Sequence, residues 1–447
     1  MKPTRLWIRD PLAILADHSA GGVVIEGTRI VERVTAGARP SAAVDETFEA
    51  GRHVVLPGLV NTHHHFFQTL TRAHPVAINK PLFAWLQALY PVWERLTPEA
   101  FRLATRVAYL ELLLSGCTTA GDHHYLFPRG LEDSIDIQVD EARSLGIRAF
   151  VTRGSMSDHD SGLTPAALLQ DDDTILADSE RALRLFHDPN FGAMVQIGLA
   201  PCSPFNVTKR LMRESARLAA THNCRLHTHL GETLDEQTYC LEKFGQRPVD
   251  YLEEVGWMNS RTWLAHGIHF NDDEVRRLGK AGVGVCHCPT SNMVLASGRC
   301  RTCELEAAGC PVGLGVDGSA SNDNSNLMES VRHAMMLSRI SYGAEAVTHR
   351  DALRWATEGS AACLGREDIG RIETGREADL ALFTLDELRF SGSHDPLAAL
   401  VHCGAHRADR VMVAGRWRVI DGEPLGIDTE GLRVAHSQLA RDLFGAL

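Results

Sequence analysis

Short apolar runs alternate with amphipathic stretches through the central part of the chain, from about residue 57 to residue 370. Apolar residues recur at helical spacing in 98–115, for example, between two such runs. This alternation is typical of a parallel sheet that helices cover on the outside. The candidate strands cover residues 54–62, 118–122, 147–153, 193–200, 225–229, 262–266, 283–287 and 312–317.

Eight strand–helix units over roughly 300 residues predict a (β/α)8 barrel. A doubly wound open sheet is the structural alternative, but no Gly-x-Gly-x-x-Gly sequence opens a helix after the first strand. Shorter strands and turns occupy residues 1 to about 56, and they return near the C-terminus at 378–383, 410–413 and 416–420. Because chain termini commonly lie close together, we expect both ends to form one discontinuous sheet domain.

The composition is that of a globular protein, with 44% hydrophobic and 23% charged residues among 447. No apolar run approaches the ~20 residues that a membrane span needs. Charged Arg9, Asp10 and Asp17 interrupt the N-terminal segment, so it does not resemble a secretory signal. We therefore expect a cytoplasmic protein with no membrane partner.

The net charge of −12, with no lysine- or arginine-rich block, argues against nucleic-acid binding and favours a small-molecule substrate. The eleven cysteines are odd in number and lie in apolar contexts, which suits reduced and mostly buried thiols. The sequence leaves the oligomeric state open, a homo-oligomer included.

Histidines and carboxylates follow the candidate strands at the ends where a barrel builds its active site. The first strand runs into His63, His64 and His65, and side chains alternate along a strand, so that His63 and His65 share a face. A histidine triplet alone is equally typical of a solvated loop. Support for a metal site comes from other strand ends, which carry His227, His229 and Glu232, then His266, then Asp317.

These residue types match a catalytic zinc site, in which protein ligands leave a position for water. We predict that the metal is held by His63, His65, His229 and Asp317. Asp317 would also accept a proton from the activated water, and Glu232 would donate a proton to a substrate ring nitrogen. His266 would orient the hydroxide or stabilise the tetrahedral centre.

Four motifs, PGLVNTHHH, HTHLGE, LAHG and GVDGSASND, together resemble the amidohydrolase superfamily, specifically its deaminase and triazine-hydrolase branch. The resemblance covers nearly the whole chain. It implies a metal-dependent barrel over residues 57–370 and a β-sandwich made of residues 1–56 and 371–447. It also implies the same ligands, with Glu232 and His266 as catalytic residues.

Binuclear members of the superfamily usually carry a carboxylated lysine after the fourth strand, where this chain reads MVQIGLAPC without lysine. We therefore expect one divalent metal ion and hydrolytic deamination rather than hydantoinase- or dihydroorotase-like chemistry. Zinc is the expected ion, although the same ligands also suit iron or manganese.

Within the branch, HHHFFQTLTR and TTAGDHHY are most similar to 8-oxoguanine deaminases, which implies release of ammonia from 8-oxoguanine to leave urate. Gln68 would hydrogen-bond the purine edge or else cap a loop helix, and Trp85 would stack on the purine or else pack in the core. Arg153 is a candidate partner for a substrate carbonyl. Cys202 stands where nucleoside deaminases of the branch often have histidine, which argues against a ribose-bearing substrate.

Other interpretations keep the same site residues but assign a different substrate or no catalytic activity. The same residues would serve a deaminase of guanine, a pterin, an S-adenosylhomocysteine-like nucleoside or an aminotriazine. A different class is a non-catalytic metal-binding scaffold, because two cysteine pairs can form a structural zinc site. These pairs are Cys286 with Cys288, and Cys300 with Cys303.

Overall fold

The computed structural model describes residues 4–159 and 162–444, which form three sheets and a layer of helices. The strands are β1 (Arg5–Arg9), β2 (Ala13–Ile14), β3 (Gly22–Glu26), β4 (Arg29–Val34), β5 (Glu46–Glu49), β6 (His53–Pro57), β7 (Leu59–Asn61), β8 (Cys117–His124), β9 (Arg148–Ser155), β10 (Val195–Pro201), β11 (Leu226–Leu230), β12 (Thr262–His266), β13 (Gly284–His287), β14 (Val312–Leu314), β15 (Leu380–Thr384), β16 (Arg410–Val413), β17 (Arg416–Ile420) and β18 (Glu423–Pro424).

The α-helices are α1 (Leu82–Trp93), α2 (Pro98–Leu114), α3 (Ser134–Leu145), α4 (Asp172–Phe186), α5 (Lys209–His222), α6 (Leu234–Phe244), α7 (Pro248–Glu254), α8 (Asp272–Ala281), α9 (Pro289–Val294), α10 (Thr302–Ala308), α11 (Leu327–Tyr342), α12 (His349–Arg354), α13 (Ser360–Cys363), α14 (Pro396–His402) and α15 (Thr429–Phe444). Short 3-10 helices cover Phe66–Thr71, Ala166–Leu168 and Leu388–Phe390, and a π-helical turn covers Trp355–Gly359.

The eight-stranded sheet has the order β7 to β14 without a crossover, and every neighbouring pair is parallel. Two backbone hydrogen bonds join its last strand region to its first: Thr62 N–H donates to Leu314 O at 3.1 Å, and Asp317 N–H donates to His63 O at 3.1 Å. These bonds close the sheet around an apolar interior. The predicted (β/α)8 barrel is therefore confirmed.

The prediction of one barrel strand over residues 54–62 is wrong. β6 pairs antiparallel with β15 in a terminal sheet, whereas β7 pairs parallel with β8 in the barrel. The change of sheet occurs at Gly58, where an added Cβ would lie 2.2 Å from Thr118 Oγ1. Both strands are fully buried, so their apolar residues form one continuous run in the sequence.

Residues from both chain ends form the other two sheets. A four-stranded sheet has the order β4-β3-β1-β5, and a six-stranded sheet has the order β18-β17-β16-β15-β6-β2. A shared apolar core that includes Ile8, Val55 and Leu380 lies between them. This arrangement confirms the expected β-sandwich. The last helix, α15, instead packs against α2 and the 3-10 helix Phe66–Thr71 of the barrel.

Within the described residues, none of the helices combines the length and the apolar character needed to span a bilayer.

Candidate metal centre and active site

His63 and His65 follow β7 and turn their imidazoles toward the same carboxylate. The Nε2 atoms of both rings lie 3.3 Å from Asp317 Oδ1, and Asp317 follows β14. His64 points away, with its Nε2 atom 2.8 Å from the Ser325 hydroxyl. The closing strands of the barrel thus bring together the outer two histidines and Asp317.

His229 on β11 completes this group, because its Nε2 lies 3.2 Å from His65 Nε2. The other ring nitrogens of these two residues face backbone carbonyls, His65 Nδ1 at 2.7 Å from His123 O and His229 Nδ1 at 2.7 Å from Cys202 O. A carbonyl oxygen only accepts hydrogen bonds, so each Nδ1 carries the proton. In the neutral imidazoles, both Nε2 atoms therefore present lone pairs.

A chain of hydrogen bonds fixes the tautomer of His63 in the same way. His227 Nδ1 lies 2.9 Å from Trp263 O and must donate to it, which leaves His227 Nε2 as an acceptor. That acceptor lies 2.7 Å from His63 Nδ1, which therefore carries the proton. His63 Nε2 is buried and has no partner at hydrogen-bond geometry.

In their neutral forms, the three imidazole rings and a carboxylate thus direct lone pairs toward one buried point. Burial alone would lower the pKa of His65, but the nearby Asp317 carboxylate raises it, so metal binding would displace a proton from this ring. Burial lowers the pKa of His63 and His229 well below the usual value, so both are neutral, which is the form that binds metals. Converging acceptors without a proton between them repel one another unless a cation lies among them. The donor set therefore fits a divalent metal ion, and three of its members, His63, His65 and Asp317, offer ligand atoms within 4.8 Å of one another.

Two carboxyl groups beside this centre have opposite proton affinities. Burial raises the pKa of Glu232, whose Oε2 lies 3.5 Å from His266 Nε2. Burial alone would also raise the pKa of Asp317, but the His63 and His65 rings, each 3.3 Å from Oδ1, bring that pKa well below its usual value. Such a divergence is the pattern of a general acid beside a general base.

The backbone at this edge of the barrel is constrained. His266 and Asp317 adopt φ angles of 76° and 65°, in the left-handed region that non-glycine residues seldom occupy. His266 Nδ1 lies 3.0 Å from Asn292 Oδ1, which holds the ring in place. Strained residues of this kind persist where the surrounding structure over-determines them, and they cluster at active sites.

A small cavity opens beside the cluster. Five residues of the centre line it: His65, His229, Glu232, His266 and Asp317. Gln68, Trp85 and Cys202 also line it, so the structure brings these three expected substrate-binding residues to the pocket. His63 lies fully buried beneath this group.

The polar contacts of these three residues differ. Gln68 Oε1 accepts a hydrogen bond from Ala320 N–H at 3.1 Å, whereas Gln68 Nε2 is buried and has no partner at hydrogen-bond geometry. The Trp85 indole N–H donates to Ala320 O at 3.0 Å, which fixes the ring in the wall. Burial raises the pKa of Cys202, so its thiol stays uncharged.

Arg153 is the expected substrate-binding residue that the structure does not bring to the pocket. Its guanidinium is fully buried against α4, where Nε donates to Asp178 at 2.7 Å and Nη2 donates to Gln170 at 2.9 Å. The same group lies 3.7 Å from the centre of the Phe127 ring. Its position at a strand end suggested the barrel interior, but its side chain extends to the outer layer.

Sequence reasoning missed part of the pocket wall. Tyr90 and Leu86 come from α1, and their helical spacing gave no sign of which residues face the cavity. Tyr125 follows β8, and Ser203 and Asn206 follow β10. Their position after barrel strands is the signal that could have identified them.

The cysteine pairs do not form the four-thiol site of the scaffold alternative. The sulfur atoms of Cys286 and Cys288 lie 3.7 Å apart. Among the residues that the structure describes, no group close enough to hold a metal joins them to Cys300 or Cys303.

Comparison with known proteins agrees with this architecture. Residues 54–418 match the amidohydrolase family. An 8-oxoguanine deaminase from Pseudomonas aeruginosa is 61% identical over 445 residues, which span 98% of this chain and 99% of the relative.

Two solved structures are similar over the full fold. Atrazine chlorohydrolase TrzN from Arthrobacter aurescens TC1, complexed with zinc, has a TM-score of 0.91 and 31% identity over 97% of this chain and 100% of its own. An adenosine deaminase from Xanthomonas campestris with bound zinc has a TM-score of 0.88 and 30% identity over 100% of both chains. This chain therefore belongs to the amidohydrolase family and is a metal-dependent hydrolase that acts on C–N bonds.

Proposed function

We propose that the protein catalyses the hydrolytic deamination of an oxidised purine base, converting 8-oxoguanine and water to urate and ammonia. The similarity to the P. aeruginosa 8-oxoguanine deaminase extends over nearly the whole of both chains. The observation that carries the proposal is that bare imidazole nitrogens and a buried Glu232 carboxyl border the same small cavity. Deamination of a ring carbon needs a water-activating centre and a proton donor within reach of one substrate.

His63, His65, His229 and Asp317 would hold one zinc ion. Neutral imidazoles with a carboxylate suit zinc, with iron and manganese as chemical alternatives. β10 carries no lysine that could bridge a second ion. A bound divalent ion supplies a water molecule of lowered pKa, and therefore a nucleophile near neutral pH.

The carboxyl groups of the chain would divide the proton transfers. Asp317, which its lowered pKa keeps ionised, takes the proton of the attacking water on a carboxylate oxygen. Glu232, whose pKa is raised, delivers a proton to the ring nitrogen beside the reacting carbon. His266 stabilises the oxygen at the tetrahedral carbon. Asp317 then passes its proton to the exocyclic amine, which leaves as ammonia, and the hydroxyl on the tetrahedral carbon returns a proton to Glu232 as the carbonyl forms.

Gln68, Trp85 and Cys202 would bind the base. The unpaired Gln68 Nε2 is a donor suited to a ring carbonyl, and the fixed Trp85 ring offers a flat wall to a planar substrate. Cys202 contributes a small uncharged group next to His229. Arg153 is left out of this proposal because Asp178 and Gln170 occupy its guanidinium.

A substrate panel tests the proposal. Ammonia release would be measured with zinc-loaded protein on 8-oxoguanine, guanine, a pterin, S-adenosylhomocysteine and an aminotriazine. We expect the highest kcat/KM for 8-oxoguanine with urate as product, loss of activity after chelation, and recovery on zinc addition. Glu232→Gln, which keeps the side-chain shape without the acid, controls for contaminating activity. A preference for the nucleoside would contradict the proposal.

A further inference from the structure

The part of the cavity wall formed by α1 carries a tyrosine phenol that has no role in the proposed reaction. Tyr90 lines the cavity and is 1% exposed. Its hydroxyl oxygen is buried and, among the described residues 4–159 and 162–444, has no partner at hydrogen-bond geometry. A buried polar group without a partner is costly, so each such group in a native protein calls for an explanation.

The polar groups beside Tyr90 are already engaged with one another. Asn206 and Thr164 approach the phenol oxygen. The Asn206 amide N–H donates to Thr164 Oγ1 at 2.9 Å, and Asn206 Oδ1 accepts from the Ser203 hydroxyl at 2.6 Å. Each of these two acceptor atoms thus already receives one hydrogen bond, and among the described residues neither is a partner of the phenol at hydrogen-bond geometry.

Apolar side chains make up much of the wall on this side of the cavity. Leu82, Leu86 and Phe205 line the cavity with apolar carbon. Burial also raises the pKa of Tyr90, so the phenol keeps its proton at neutral pH. Tyr90 is thus a fixed hydrogen-bond donor at a cavity.

Tyr90 and Gln68 are two separate unpaired donors in one pocket. Gln68 Oε1 is bound by Ala320 N–H, three residues after the proposed ligand Asp317, so its amide lies on the side of the metal centre. Asn206, Thr164 and Cys202 lie near the Tyr90 phenol, and none of the three is a proposed metal ligand. The two donors therefore serve different parts of a bound ring.

We propose that Tyr90 determines specificity by donating a hydrogen bond to the C8 carbonyl oxygen of an oxidised purine. This inference rests on the proposed function. In such a substrate the reacting amidine carbon lies in the six-membered ring, and the C8 carbonyl lies at the opposite end of the base. The donor that has no proposed metal ligand beside it then meets the oxygen at the end of the base opposite the reacting carbon, while guanine, which lacks that oxygen, leaves the phenol unpaired.

Removing the phenol tests this assignment. Kinetics of wild type and Tyr90→Phe would be compared for 8-oxoguanine and guanine, together with inhibition constants for urate and xanthine, the products of these two bases. We expect Tyr90→Phe to lower kcat/KM for 8-oxoguanine about 10- to 100-fold, mainly through KM, because the carbonyl loses its partner. Inhibition by urate should weaken similarly, and the guanine and xanthine values should change little.

Tyr251→Phe is the matched control. Tyr251 on α7 is also a buried phenol without a partner at hydrogen-bond geometry, but it does not line the cavity. Its substitution should leave all four values unchanged. The proposed role of Tyr90, but not the proposed function, would be overturned if Tyr90→Phe lowered kcat/KM for 8-oxoguanine and guanine equally, or changed neither value. The same holds for the inhibition constants of urate and xanthine. Failure of the wild type to deaminate 8-oxoguanine would overturn the proposed function as well.

Discussion

At the scale of single residues, the organisation of the centre depends on where each imidazole proton sits. Backbone carbonyls fix the protons of His65 and His229 directly, whereas His63 depends on His227 and Trp263. The His227 ring also stacks on Trp263, with ring centres 4.2 Å apart. His227 is therefore a positioning residue that directs the free nitrogen of His63 toward the metal centre.

Replacing His227 should weaken metal binding. In His227→Phe the ring packing is largely kept, but His63 Nδ1 loses its partner and the tautomer is no longer fixed. We expect zinc affinity to fall about 10- to 100-fold, as measured by competition with a chelator. His287→Phe, at a buried histidine whose ring nitrogens have no partner at hydrogen-bond geometry, should bind zinc like the wild type. Equal affinity in both variants would contradict the positioning role.

Much of this centre could be predicted from the sequence, because histidines and acids recur after regularly spaced apolar strands. The hydrogen-bond partners of these histidines could not be predicted, because they include backbone carbonyls of other strands. Arg153 shows a related limit. A strand end gives the position of a residue, but the partner Asp178 on α4 determines where its side chain lies.

At the scale of elements, α15 supports the segment that carries Gln68. The helix packs against the 3-10 helix Phe66–Thr71, and His436 Nε2 lies 3.2 Å from Thr69 Oγ1. Leu439 packs against the apolar cluster that contains Trp85 and Tyr90. The sequence assigned this C-terminal region to the β-sandwich, because the nearby strands gave no indication of the contact between α15 and the barrel.

Weakening this contact should affect substrate binding more than the chemical step. We expect Leu439→Ala to cost about 1–3 kcal/mol of unfolding free energy, since the side chain is partly buried, and to raise KM with little change in kcat. Denaturant unfolding and steady-state kinetics measure the two effects. Val434→Ala, on the exposed side of the same helix, should stay within about 0.5 kcal/mol of wild type. A fall in kcat alone would be inconsistent with this role.

At the scale of the whole molecule, a buried ion cluster ties the barrel to the terminal sheets. Arg148, the first residue of β9, donates to Asp379 at 2.8 Å and to Glu377 at 2.9 Å, and all three side chains are almost fully buried. Asp379 also accepts from Ala414 N–H at 2.8 Å, next to β16. Barrel and β-sandwich could both be predicted from strand patterns, whereas this link joins residues far apart in the sequence.

Loss of Arg148 should destabilise the whole fold. Arg148→Met leaves two buried carboxylates without their cation, so we expect a loss of about 3–5 kcal/mol in the free energy of unfolding. Arg433→Met removes a solvent-exposed ion pair with Glu430, so the free energy of unfolding should stay close to that of the wild type. Chemical denaturation of both variants gives the comparison. Similar small losses in the two proteins would argue against a structural role for the cluster.

At Gly58 the chain passes from the β-sandwich into the barrel, at the end of the barrel opposite the cavity. The residues that hold the two domains together are therefore separate from those that would select the substrate. Two attachments to the β-sandwich, Gly58 and Arg148, lie at the amino ends of barrel strands, whereas the proposed catalytic groups lie at the carboxyl ends. Substitutions around the cavity can therefore accumulate without loosening the attachment at the opposite end. Such a division makes the scaffold evolvable: loop exchange at the carboxyl ends is a route to new ring substrates that leaves the anchoring end untouched.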